Sequence, residues 1–183
     1  MAADGEAALK SLMAGLGKSF SAVGKDGVSM KDSAQGIEFA LEEIVKREVL
    51  VGIPAANADR EDGAPMNNAA RLYIHENGSP AANIPARPTV MPGIAAVQDK
   101  ISDYLRGAAL AALSGDTGKI DVSLHSAGTV ARDSIKSKIN SNTPPPLAQR
   151  TIEDRQKRGK QSTKTLVDEG EMRNAVNYVI ARK

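Results

Sequence analysis

The sequence has no cysteine and no tryptophan, and aromatic residues make up only 3% of its 183 positions. Without cysteine there are no disulfides and no thiolate metal ligands, a composition compatible with a reducing cytoplasm. So few aromatic rings leave no material for base-stacking platforms, and the core has to be built from Ala, Leu, Ile and Val. Charge of one sign is also missing: the formal net charge is +2, so the chain as a whole does not read as a nucleic-acid binder. No apolar run approaches the length needed to cross a bilayer. Asp4, Glu6 and Lys10 interrupt the apolar residues of the N-terminus, which therefore does not read as a signal peptide. Histidine occurs only at His75 and His125.

Chain length suits one domain of 1–183 with a sizeable core. Within it, 1–48 reads as N-terminal helices. Residues 49–140 read as a strand, a His-Glu and proline loop and a helical hairpin, and 141–183 as a proline linker, a basic segment and a terminal strand. Leu9, Leu12, Met13 and Leu16 share one helical face. Asp32 and Gln35 resemble a helix-start box, followed by the apolar stripe Ile37, Leu41, Ile44 and Val45. Val49, Val51 and Ile53 alternate as in a strand that Pro54 closes. Residues 55–65 carry Asn57, Asp59, Asp62 and Gly63 and read as an exposed, mobile loop. Its acids lack the ligand spacing and closing glutamate of a calcium loop.

Ile94, Val97, Ile101, Tyr104, Leu105, Ala108 and Ala112 predict one long helix ended by Gly115. Asp116 or Thr117 opens a second, striped by Ile120, Leu124, Ala127, Ala131, Ile135 and Ile139; the short joint predicts an antiparallel pair. His125 falls at the edge of that stripe and reads as a packing or surface residue. Pro144, Pro145 and Pro146 form a stiff connector. Arg150, Arg155, Lys157, Arg158, Lys160 and Lys164 then gather against only Glu153 and Asp154. Such a run reads first as a solvated, partly flexible surface. A second reading sets Arg155, Lys157, Arg158, Lys160 and Lys164 toward DNA phosphates, which cations bind without sequence preference. Val176, Tyr178 and Ile180 alternate in a terminal strand able to pair with 49–53. The sum is an α+β fold: a small, mostly antiparallel sheet packed against two long antiparallel helices, with extended mobile loops.

The stretch with most chemical suggestion is His75-Glu76-Asn77-Gly78, continued by Ile84-Pro85-Ala86-Arg87-Pro88. A zinc-protease helix would need a second histidine one turn after the first, but that position is Ser79 and Gly78 and Pro80 break the helix. An architectural reading fits better. Asn67 and Asn68 cap a short helix through Ala69, Leu72, Tyr73 and Glu76, and Gly78 stops it. Two prolines then hold Arg87 rigid for a carboxylate or carbonyl contact. No nucleophile elbow or phosphate-cradling glycine loop accompanies either histidine, so the sequence reads as a non-enzyme without cofactors.

His75-Glu76-x-Gly78 with Ile84-Pro85-Ala86-Arg87-Pro88, and further on Leu166-Val167-Asp168-Glu169-Gly170-Glu171-Met172-Arg173-Asn174, resemble the two halves of the signature of the tail-completion (neck, or head-to-tail joining) proteins of long-tailed bacteriophages. The likeness covers roughly Val49 onward. Thr89 stands where that family has an aromatic residue, and Glu169 where it has threonine. The resemblance implies a structural virion protein, assembled in the host cytoplasm. It implies a homo-oligomeric, hexameric ring at the head–tail interface that meets head connector or stopper proteins and tail terminator or tail tube proteins, with viral DNA passing nearby. It marks His75, Glu76, Gly78, Ile84, Pro85, Arg87, Pro88, Leu166, Asp168, Gly170 and Arg173 as a structural and interface motif. Tail terminator and connector stopper are alternative positions in the same neck. A DNA-binding module and a metal hydrolase using His75 are the readings from other classes.

Overall fold

The computed structural model describes residues 30–60, 63 and 65–182. The helical face read at Leu9, Leu12, Met13 and Leu16 lies outside the described residues. The chain divides into two units between Phe39 and Ala40. Apart from the first part of one helix, every described element lies in the second unit.

Seven α-helices and two strands occur among the described residues. In order they are α1 (Met30–Val45), β1 (Arg47–Gly52), α2 (Asn68–Asn77), α3 (Val90–Ala95), α4 (Gln98–Leu113), α5 (Thr117–Asn140), α6 (Gln149–Lys157), α7 (Glu171–Ala175) and β2 (Asn177–Arg182). The two strands expected to pair do so, antiparallel, with Val49 opposite Ile180 and Val51 opposite Tyr178; Ile53 and Val176 fall just outside them. A two-stranded sheet is marginal alone, and here the α4–α5 hairpin supports it. The fold is α+β, a small antiparallel sheet packed on two long helices.

The hairpin forms for the reasons the sequence offers. Gly115 turns the chain at φ +73°, and Asp116 caps α5 by accepting the Lys119 N–H at 3.0 Å. Every residue of the stripe read on α5, from Ile120 to Ile139, is buried. Its first half packs with Ala40, Ala108, Ala111 and Ala112, small side chains that let the helices approach closely, and Val49 and Ile180 of the sheet cover this cluster. Its second half, Ile135 and Ile139, packs with Leu72, Leu166, Met172 and Val176. Arg47, at the start of β1, ties the layers by pairing with Glu43 of α1 at 2.9 Å and with Asp121 of α5.

Four expectations need correction. Asp32 and Gln35 lie inside α1 and do not start it, because the helix already runs from Met30. Val45, placed on the apolar stripe, is exposed, and Ala40 is the buried residue. The long helix read from Ile94 to Ala112 is broken at Ala96–Val97 into α3 and α4. Its first piece is held separately: a Cβ on Gly93 would lie 3.0 Å from the Ile135 Cα, and Ser134 Oγ donates to the Gly93 carbonyl at 2.7 Å. The segment 55–65 is anchored where it is described. Ala55–Asn57 forms a 3₁₀ turn, Ala58 is buried, and its carbonyl accepts the Asn68 N–H at 2.8 Å. No described helix is long and apolar enough to cross a membrane.

Candidate functional site

The His-Glu pair sits at the end of α2. Asn67 caps the start of this helix by accepting the Ala70 N–H at 2.9 Å, and Leu72 carries its buried face. Gly78 ends it at φ +77° and ψ 172°, a region open essentially to glycine alone. A Cβ there would lie 2.9 Å from the Ala86 nitrogen. Glycine is therefore needed twice, for its backbone angle and for the returning chain. That return is a small loop closed by the Ser79–Ile84 bridge, with hydrogen bonds of 2.8 and 2.9 Å.

Glu76 faces the start of α3. Its Oε2 accepts the N–H groups of Thr89 at 2.6 Å and Val90 at 3.0 Å, and its Oε1 accepts that of Met91 at 3.1 Å. These are N–H groups of a helix start that have no partner inside the helix, and a carboxylate also suits the positive end of the dipole. Thr89 is fully buried, with its Oγ1 3.5 Å from the Glu76 Oε2.

Arg87 is 5% exposed. Its backbone N–H donates to the His75 carbonyl at 2.6 Å. Its Nε donates to the Pro145 carbonyl at 2.8 Å and its Nη2 to that of Pro146 at 3.0 Å. Of the two contact types the sequence allowed, carboxylate or carbonyl, the structure has the second. The rigid arginine loop thereby clasps the proline connector, in which the Pro144–Pro145 peptide is cis. Pro88 is exposed beside it.

The C-terminal motif half is organised around a second buried arginine. Arg155, on α6, is 6% exposed. Its Nη1 donates to the carbonyls of Ser162 (3.2 Å), Lys164 (2.7 Å) and Val167 (3.3 Å), and its Nε lies 3.6 Å from Asp168. Asp168 also pairs with Arg158 at 3.1 Å and Lys160 at 3.2 Å. Burial alone would raise its carboxyl, but the Lys160 and Arg158 hydrogen bonds and the Arg155 charge hold it below the usual range. Gly170 takes φ +88° at the start of α7, and Arg173 reaches Asn140 and Asn174.

The reading of the basic run as a solvated surface holds for Arg150, Lys157, Arg158 and Lys164, which are exposed, and needs correction at Arg155. Arg155 is a buried brace, and Arg158 and Lys160 are committed to Asp168 and Glu169. Lys157 and Lys164 remain exposed, with Lys157 3.8 Å from Asp154.

Both motif halves meet at one cleft of about 260 Å³. Its lining includes His75, Ile84, Pro85 and Arg87 from the first half and Leu166 and Asp168 from the second. Arg71, Leu147, Ala148 and Arg155 complete most of the rest. The Nδ1 of His75 is buried with no hydrogen-bond partner among the described residues. Burial first, then the Arg87 and Arg71 charges, lower its pKa from the ordinary 6.5. Among the described residues no group of three or more His, Asp or Glu could hold a metal ion. His125 lies apart on α5, exposed, with Nδ1 3.1 Å from the Tyr178 hydroxyl.

Sequence reasoning did not find the partners of these side chains. The Pro145 and Pro146 carbonyls and the N–H groups of residues 89–91 are backbone atoms, which no residue type announces. Arg71 was missed as well, though its place one turn before His75 on α2 signals a shared face. In comparisons with known proteins, no family model and no curated protein matches the sequence, and no solved structure matches the fold.

Proposed function

We propose that this chain is a structural protein of the bacteriophage neck, one of identical subunits that form a ring at the head–tail interface and join the tail to the head connector. The observation that carries the reading is the use of the two-part signature. In one half Glu76 caps a helix, Gly78 turns the chain and Arg87 clasps two carbonyls; in the other Gly170 turns the chain and Asp168 pairs with the buried Arg155. Residues with that employment serve shape, and a ring component acts through shape. A subunit that contacts its neighbour head-to-tail uses two different patches, and the contact closes when the rotation permits.

The sheet offers one such patch. Each strand of the β1–β2 pair has one edge without a strand neighbour among the described residues. Leu50 and Val179 stand opposite each other in the register, 50% and 41% exposed. An apolar cross-strand pair beside an open edge suits strand addition by a neighbouring chain. The test is genetic and structural together. A phage lacking this chain should accumulate filled heads and separate tails, and supplying the chain should restore joined particles. Joined, infective particles formed without it would overturn the proposal.

A further inference from the structure

The cleft between the two motif halves holds more positive charge than the protein neutralises. Three guanidinium groups line it, those of Arg71, Arg87 and Arg155, against the single carboxylate of Asp168. Arg155 is paired with that carboxylate, and Arg71 has Glu171 at 3.6 Å. Arg87 differs. Nearly all of its surface is buried, its fork meets only the two proline carbonyls, and among the described residues no carboxylate lies within ion-pair distance and nothing accepts from Nη1. A buried charge compensated by neutral carbonyls alone carries a desolvation cost that a counter-ion would relieve. His75, whose buried Nδ1 has no hydrogen-bond partner among the described residues, is part of the same lining.

The rest of the lining restricts what that partner is. Ile84, Pro85, Leu147 and Ala148 give the cleft an apolar wall, which a hydrated inorganic anion would not use. A volume of about 260 Å³ falls below the roughly 300–1,000 Å³ of pockets for drug-sized ligands and cofactors. It suits one acidic side chain, or one chain end, with an apolar neighbour. We propose that this cleft is a docking site for a carboxylate on a partner polypeptide, clamped by Arg87 and Arg71 with its flanking residue against Pro85 and Leu147. The inference is independent of the neck reading and holds for any acidic protein partner.

The two histidines provide a probe with its own control, since His75 lines the cleft and His125 sits apart beside Tyr178. Imidazole resonances of the full chain would be followed by NMR during titration at millimolar concentration. The ligands are a capped tripeptide with glutamate between two leucines, a dileucine with a free C-terminal carboxylate, the first peptide with glutamine for glutamate, and inorganic phosphate. The expected result is a saturable shift at His75, with His125 unmoved, for at least one of the two carboxylate peptides. Which one responds tells a side chain from a chain end. Arg71→Gln should weaken that response about tenfold, the loss of one charge-assisted contact. Because the glutamate and glutamine peptides are compared on the unaltered chain, the test does not depend on a variant folding. No His75 response to either carboxylate peptide, an equal response to the glutamine peptide, or a response to phosphate alone would overturn the proposal.

Discussion

Gly128 lies directly beneath the ring of Tyr178, so close that a Cβ on the glycine would overlap three ring carbons. This contact seats β2 on α5. The Tyr178 hydroxyl stands 3.1 Å from His125 Nδ1 and accepts from Thr129 Oγ1 at 3.2 Å, and the Arg132 guanidinium lies 5.8 Å from the ring centre. In an exposed helix, glycine to alanine would stabilise by about 0.5–1 kcal/mol. Here the overlap should reverse the sign. Gly128→Ala is expected to cost about 1–3 kcal/mol, as overpacking does. Thermal unfolding measures it, and unchanged or raised stability would contradict the packing described.

Glu76 offers a test of the architectural role of the His-Glu pair. Glu76→Ala removes an acceptor shared by three backbone N–H groups and is expected to cost about 2–4 kcal/mol, since bonds to a charged group are worth more than neutral ones. Glu76→Gln keeps one acceptor oxygen and loses the charge at the start of α3, so about 1–2 kcal/mol is expected. Denaturant titration should rank the two variants in that order. A neutral result for both would mean the carboxylate does not hold α3.

Arg87→Lys tests the carbonyl clasp. A lysine head is a point charge on a flexible stem and cannot present two donors in the fixed fork that meets Pro145 and Pro146. A loss of about 2–3 kcal/mol is expected from one abandoned hydrogen bond and a poorly housed charge. Equal stability of the lysine variant would show that charge alone suffices there.

His75 sets an expected pH dependence. Burial lowers its pKa from 6.5, so below 6.5 the unfolded chain takes up a proton that the folded chain resists. This contribution to stability is fully present above that pH and is lost as pH falls through it. The Arg87 and Arg71 charges act in the same direction as burial. Asp168 titrates in a separate, lower window, its stabilisation being lost as pH falls below its ordinary 3.8. Observing the His75 ring by NMR across pH should give a midpoint below 6.5; a midpoint above it would contradict the burial and charge described.

How much of this was legible in the sequence depends on what each feature is made of. The α5 stripe and the β1–β2 pairing were readable because buried apolar side chains repeat with the period of their element. Asn67, Asp116, Gly78 and Gly115 were readable because caps and turns demand particular residue types. The break at Ala96–Val97 was not readable, since the residues on both sides keep a helical spacing. It reflects the Glu76 carboxylate and the Gly93–Ile135 approach, contacts made across the fold. The burial of Arg155 was hidden for a similar reason. In the sequence it is one cation among several, and its partners are mostly main-chain carbonyls. The cleft needed both motif halves brought together, which spacing along the chain does not reveal.

The most direct measurement is electron cryomicroscopy of joined phage particles that incorporate this chain. The expected map has a ring of copies between the head connector and the tail tube, each with α5 and the β1–β2 sheet recognisable and the Leu50–Val179 side of the sheet against a neighbouring subunit. A map whose head–tail junction is fully accounted for by other polypeptides would contradict the account.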